Sequence, residues 1–526
     1  VLTSIETVGL LLPEVVVVAV ATFIYVAGTF CDCRRVWSWL ALGGLALAAV
    51  FLYRQPTESV FNGPLAADSL GIYVRWMSLA VGALLVLLTA RSASHGQAPE
   101  IMGSLLLLIA GMMLVSISGE LVLLFAGLEL VSIPTYVLLY LGRRDAPSQE
   151  ATTKYFFLSI LSSAVLLYGF SFLYGLSGTT VLAEMAQRLA DGSVAENVRP
   201  LAVVAGVLVF AGLCFRIGAV PFHFYAPDVY QGTTHANAAM LSFAPKLVGL
   251  VALVRIVSLG LPGMEGLGWR VALVVAMLTM TLGNTMALWQ DNVRRLLAYS
   301  SIAHAGYLLI GVAVGFAHAG GGEPFGAAGL SSMLFYLVVY AIATTGAFAV
   351  LDYLGTHDRP VDNVDELAGV GRTHPFAGVA MALFMFSLAG VPPMAGFFGK
   401  LTLLFGAVGE GYEVHSGTTL NAWFLLLAVV AVLNSAISAA YYLRIVAAMY
   451  FRSPLGSLPG QRNPSAWLAM FASAVAVLVL GILPGPVRQS AAAARDALLS
   501  VERPEPAASA QAALNSQSAA TAAQLD

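Results

Sequence analysis

The chain has 526 residues, of which 59% are hydrophobic and 10% charged, with a formal net charge of −3 and a mean hydropathy of +0.84. About one residue in four is charged in an ordinary soluble domain, so this composition excludes a water-soluble globule, and the near-neutral charge excludes a nucleic-acid partner. Cys31, Cys33 and Cys214 follow no zinc-site or haem-attachment spacing, so neither disulfides nor a bound metal are expected.

A helix needs about 20 apolar residues to cross a hydrocarbon core. Fourteen runs of that kind are centred near residues 18, 44, 80, 108, 130, 164, 209, 246, 278, 306, 338, 388, 432 and 475. The expected fold is an all-α integral membrane protein of about 14 transmembrane helices. The first run, LLPEVVVVAVATFIYVAG, lacks a basic start and a small-residue cleavage site, so it is expected to stay in the membrane. The residues from about Gln489 are rich in Ala, Ser and Gln and are expected to form a disordered or loosely helical tail.

Basic residues alternate between loops. Arg34, Arg35, Arg91, Arg143, Arg144, Arg294, Arg295, Arg359, Arg372, Arg452 and Arg462 fall on one side; Arg54, Arg188, Arg199, Arg255, Arg270 and Arg488 fall on the other. Because basic loops stay cytoplasmic, both termini are expected outside.

Two runs carry helix breakers beside polar residues. In LCFRIGAVPFHFYAPDVYQGTTHANAAMLSFAPKLVGL, Pro221 and Pro227 interrupt the pattern next to His223, Asp228 and His235. In FMFSLAGVPPMAGFFGKLTLLFGAV, Gly390, Pro392, Pro393, Gly396 and Gly399 precede Lys400. Backbone groups freed by such breaks must face protein or a wet cavity. Broken spans in corresponding halves point to inverted repeats with ions handled near the midplane. The expected organisation is three N-terminal spans in 1–95, a first repeat of five in 96–260, a second in 261–452, a last span in 453–488 and the tail in 489–526.

Lysine is rare: 22 arginines accompany only Lys154, Lys246 and Lys400, each inside or at the edge of an apolar run. A cation at the bilayer centre costs at least ~2.5 to 3.5 kcal/mol, so such a residue is a functional candidate by default. Burial or a cationic neighbour can make lysine release its proton, whereas guanidinium keeps its own. Ser300, His304 and Tyr307 share one helical face, and so do Tyr336, Tyr340 and Thr344. Single hydroxyls of this kind are ordinary interhelical bonds, but imidazole can pass a proton between its two nitrogens. Glu129 lies deep in LLFAGLELVSIPTYVLLYL. It needs a basic partner to ionise there, and Arg216, Lys246 and Lys154 are candidates. Glu14 and Glu120 lie near span ends and read as interfacial.

The segments AGLELVSIPTYVLLYL, KYFFLSILSSAVLLYGFSFLYG, VPFHFYAPDVYQG, DNVRRLLAYSSIAHAGYLL and SLAGVPPMAGFFGK together resemble subunit N of bacterial NADH-quinone oxidoreductase, the counterpart of mitochondrial NADH dehydrogenase subunit 2. The resemblance runs from about residue 5 to 485. It implies an antiporter-like, proton-translocating subunit of the membrane arm of respiratory complex I, in a bacterial inner membrane. M-type and K-type subunits would be its neighbours. FMN, iron-sulfur clusters and quinone would belong to other subunits, and none to this chain.

Residue by residue, the resemblance makes Glu129 the carboxylate that tunes a basic neighbour, Lys246 the central lysine, His304 the histidine of the central water chain, Lys400 the lysine toward the exit, and Lys154 a basic residue opening the sixth span. The family usually has lysine where this chain has Arg216, which reads as a fixed charge. The L type has a long lateral helix and the M type a glutamate at the place of Lys400, so the N type fits better. Mrp-type cation/proton antiporters, whose motif around PDAH differs from PDVYQG, are the transporter alternative. A non-conducting membrane scaffold is the alternative from another class.

Overall fold

The computed structural model describes residues 8–31, 33–55, 60–62, 64–90, 96–143, 145–190, 199–257, 267–318, 327–356, 359–412, 419–454 and 463–501. The chain builds α1 (Leu12–Gly28), α2 (Arg34–Tyr53), α3 (Ser69–Thr89), α4 (Ala98–Ser116), α5 (Leu121–Gly142) and α6 (Ala146–Ser177). Next come α7 (Arg199–Ile217), α8 (Ala226–Gly232), α9 (His235–Val257), α10 (Gly268–Leu288), α11 (Val293–His318) and α12 (Ala327–Leu354). The last elements are α13 (Pro375–Ala389), α14 (Ala395–Tyr412), α15 (Thr419–Phe451), α16 (Pro464–Ile482) and α17 (Gly485–Val501).

Among the described residues, twelve helices are long and apolar enough to cross a membrane, α7 and α8 counting as one. The 17-residue α1 and the broken pair α13/α14 complete the fourteen spans expected, and the protein is a multi-pass membrane protein. Residues 489–501, expected to belong to the tail, continue α17; 502–526 lie outside the described residues.

Local sequence sets the helix ends. The Asp68 carboxylate accepts from Gly71 N at 2.7 Å and starts α3. Asp145 accepts from Ser148 N at 3.1 Å and starts α6, which stops at Gly178, a left-handed residue at φ 66°. These are ordinary caps for orphan amide and carbonyl groups. The only sheet among the described residues is an antiparallel pair, Val60–Asn62 with Leu65–Ala67, tied to the end of α4 by Ala66 N to Ile117 O at 2.8 Å.

The two breaks match in detail. Gly218 and Gly390 both have positive φ, 75° and 85°, a backbone that residues with a Cβ rarely adopt. Each stands three residues before a proline in a cis bond, Val220–Pro221 and Pro392–Pro393. The freed groups find partners. Val220 N donates to Thr279 Oγ1 at 3.0 Å, and the Tyr225 hydroxyl donates to Phe215 O at 3.0 Å. At the second break the Lys400 ammonium donates to Ala389 O at 3.1 Å. A backbone interrupted at membrane depth is thus enclosed in protein, as the lack of water there requires.

Helices α9 and α11 are buried along their whole length and α12 nearly so, whereas α2, α15 and α16 leave most of their surface outward. The molecule therefore has three central helices with an apolar outer ring. The polar residues of interest sit mainly on that inner trio.

Candidate functional site

Glu129 and Arg216 form the first part of the site. Pro134 inside α5 cannot donate to the carbonyl one turn back, which loosens the ladder just after Glu129. Arg216 lies two residues before Gly218, at the end of α7. Its Nη2 donates to Glu129 Oε1 at 2.6 Å and to Ser163 Oγ at 2.8 Å. Its Nη1 donates to Ser132 Oγ at 2.5 Å and to Leu128 O at 3.2 Å. Ser163 itself donates to Glu129 Oε1 at 2.6 Å. Of the three candidate partners for Glu129, the structure selects Arg216. Four acceptors, one of them the counter-charge, hold the guanidinium in one place, as suits a rigid planar fork.

Lys246 is different. It is buried on α9 after Pro245, and its Nζ donates to Ser301 Oγ at 2.5 Å. That hydroxyl also receives the Tyr340 hydroxyl at 2.8 Å and lies 3.2 Å from the Tyr230 hydroxyl. No carboxylate among the described residues lies within ion-pair distance of Lys246. A buried amine held only by hydroxyls has little to favour its charged form over its neutral one.

His304, on α11, is held at both ring nitrogens. Nδ1 is 2.5 Å from the Tyr336 hydroxyl and Nε2 is 2.9 Å from the Tyr442 hydroxyl; Tyr442 in turn lies 2.5 Å from Ser300 Oγ. Hydroxyls can donate or accept, so either tautomer fits and a change of tautomer breaks no bond. Tyr336 comes this close because Gly399 stands beside it: a Cβ there would lie 2.4 Å from the Tyr336 ring.

Lys400 closes the array. Its Nζ donates to Ala389 O, the last residue of α13, at 3.1 Å. Ser435 Oγ is 3.4 Å away, and Nζ sits 4.8 Å over the Tyr307 ring. A helix C-terminus and an aromatic face both favour a cation, but again no described carboxylate pairs with it. The side chains make two hydrogen-bonded groups, one around Lys246 and Ser301 and one around His304. The Tyr340 ring bridges them at 4.9 Å from the His304 ring centre.

Lys154 lies apart from this array. It bonds Glu150 at 2.6 Å and Asp228 at 2.8 Å, with 38% of its side chain exposed. Asp228 also binds Arg295 at 2.6 Å, so these charges tie α6 and α8 to α11 at the edge of the bundle.

Glu14, expected at the interface, is instead buried. It accepts from Arg75 Nε at 2.7 Å, because a carboxylate near the start of α1 meets an arginine of α3 packed inside the bundle. Arg255, counted above with loop cations, lies within α9 and grips Asp68 through two bonds of 2.8 and 2.9 Å. Ser301, Tyr442 and Ser163 were not singled out from the sequence. Ser301 had a signal, since it stands one turn before His304 on the same face; Tyr442 and Ser163 had none beyond lying in apolar helices.

Residues 118–425 match the family described as NADH:quinone oxidoreductase/Mrp antiporter, TM. The subunit N of NADH-quinone oxidoreductase from Trichlorobacter lovleyi is 36% identical over 92% of this chain and 96% of its own length. A chain of respiratory complex I from Thermus thermophilus, solved with bound aureothin, is 31% identical with a TM-score of 0.73, over 91% of this chain and 99% of that one. A chain of the Mrp complex from a Dietzia species reaches a TM-score of 0.78 at 21% identity, over 95% of this chain and 100% of that one, a likeness of fold alone. Two broken helices around buried amines, tyrosines and a histidine define an antiporter-like membrane subunit. Within that class, the chain belongs to the NADH-quinone oxidoreductase subunit N family.

Proposed function

We propose that the protein is a proton-translocating membrane-arm subunit of a NADH-quinone oxidoreductase, in which protons cross through Lys246, His304 and Lys400 while electrons pass from NADH to quinone in other subunits. The observation that carries this reading is the pair of buried amines without counter-ions among the described residues, Lys246 and Lys400, with a doubly hydrogen-bonded His304 between them. Each group can take or lose a proton without stranding an ion-pair partner. Waters between the two hydrogen-bonded groups would complete the path.

Glu129 and Arg216 act as a fixed electrostatic element. Arginine keeps its proton, so this pair sets the field at α9 and carries no proton itself. Gly249, one turn after Lys246, packs against Arg216: a Cβ there would lie 3.4 Å from Arg216 Cβ. Lys154 serves at the edge, where Asp228 and Arg295 join the two halves. The repeats at 96–260 and 261–452 fit the matched breaks at Gly218/Pro221 and Gly390/Pro393.

The rest of the enzyme supplies the redox chemistry. FMN, iron-sulfur clusters and quinone sit in other subunits, M-type and K-type subunits flank this one, and the bilayer covers its outer ring. The membrane is a bacterial inner membrane with both termini periplasmic, as the bias of basic residues in the loops favours. An Mrp-type antiporter is disfavoured by the PDVYQG sequence and by the subunit N relatives.

The test is NADH-driven proton translocation in membranes carrying Lys246→Ala, with assembly checked on native gels. Loss of translocation in an assembled complex supports the reading. Normal translocation makes the subunit a scaffold.

A further inference from the structure

Helices α2 and α16 both pack against α3, and a cavity of about 670 Å³ lies between them. Small-molecule sites ordinarily have ~300 to 1,000 Å³. The cavity sits where α2 begins, α3 ends and α16 begins, on the basic side of the chain and at the level of a membrane surface, far from the midplane. Because α2 and α16 belong to the apolar outer ring, its mouth opens toward the bilayer.

The lining changes character with depth. Arg34, Arg35 and Ser465 stand at the outer end, Leu42, Leu87 and Leu468 at the inner end, and no carboxylate is among the described lining residues. Leu42 lies two turns below Arg34 on α2, about 12 Å along the axis. Arg34 Nε donates to Ala90 O, just past α3, at 2.9 Å, which turns this guanidinium across the top of the gap. Arg35 is exposed. Trp39, also lining the cavity, is 71% exposed and belongs to a residue type that settles at headgroup level in membranes.

An occupant has to suit both ends. A free anion would use the arginines and leave the leucines bare, and a neutral apolar chain would do the reverse. A phospholipid carries its phosphate and its acyl chain in the order in which the cavity presents arginine and leucine, and basic pockets between transmembrane helices recognise anionic headgroups. No side chain caps the start of α2, and the positive end of a helix favours an anion as well. We propose that this cavity binds an anionic phospholipid, with the phosphate at Arg34 and Arg35 and the first part of an acyl chain running past Trp39 to Leu42 and Leu468. The bound lipid fills the gap between α2 and α16 and stabilises the folded chain by mass action. The site is independent of how protons cross the bundle.

The test uses the assembled complex, purified in detergent and stripped of lipid. A phosphatidylglycerol with a photoreactive acyl chain should label residues 33–42 and 464–468, read by mass spectrometry of the peptides. Arg35→Gln, at an exposed position, should weaken that labelling about fivefold, the weight of one basic residue near an anionic surface, and Arg35→Glu should weaken it further. Unlabelled phosphatidylglycerol should compete well, phosphatidylcholine poorly and inorganic phosphate hardly at all. Labelling absent from both segments in the wild type, as a neighbouring subunit seated in the mouth would cause, overturns the site. Equal labelling of the wild type and both variants overturns the role of the arginines, and competition by inorganic phosphate as strong as by phosphatidylglycerol makes it an anion site with no lipid specificity; either result contradicts the proposal. If neither variant assembles, the competition in the wild type decides alone.

Discussion

Arg216 and Lys246 are both buried cations on neighbouring helices, yet their surroundings are opposite. The arginine has a carboxylate and three further oxygen acceptors; the lysine has one serine hydroxyl. Arg255 with Asp68 and Arg75 with Glu14 repeat the arginine pattern, and Lys400 repeats the lysine pattern. On the proposed reading, the difference separates charges that hold the fold from groups that exchange protons. A buried pair resists loss of either partner because the other is left uncompensated. A lone amine can lose its proton and remain satisfied.

Removing a pair member should have the largest effect on stability. Asp68→Ala strands Arg255 inside the bundle and should cost about 3 to 5 kcal/mol, seen as lost assembly on native gels or a lower melting temperature. Glu129→Ala leaves Arg216 with only neutral acceptors, but Glu129 is a quarter exposed, so the loss should be about 3 kcal/mol. Arg216→Lys keeps the charge but cannot reach all four acceptors; a loss of about 1.5 to 3 kcal/mol is expected, that of one charged hydrogen bond. Tyr442→Phe removes the bonds to His304 and Ser300, costs about 2 kcal/mol and should slow translocation while assembly stays normal. Lys154→Met, at the half-exposed edge, should change stability by no more than about 1 kcal/mol. If Lys154→Met proved as damaging as Asp68→Ala, the division between buried pairs and edge pairs would be wrong.

Much of this was legible in the chain. Apolar run length marked the spans, because lipid imposes that length on any helix crossing it. Gly390 and the Pro392–Pro393 pair marked a break because only a few residues permit that backbone. Lys246, Lys400 and His304 stood out because ionisable groups are rare in apolar runs. Partnerships between distant segments were not legible: Arg255 meets Asp68 and Glu14 meets Arg75 only through helix packing, which no local pattern encodes. Glu14 read as interfacial because its position near a span end said nothing of α3 beside it. Ser301 stood on the face of His304, although a serine in a helix usually bonds its own backbone, whereas Tyr442 was hidden because only the packed structure shows which neighbour a tyrosine hydroxyl meets.

The central claim is that Lys246 matters for exchanging its proton and not for its charge, and Lys246→Arg tests it most directly. Arginine preserves the positive charge and a donor near Ser301 but does not release its proton. NADH-driven proton translocation by the assembled Lys246→Arg complex should be lost. Translocation at the wild-type rate would show that a fixed charge suffices at this position and would contradict the account.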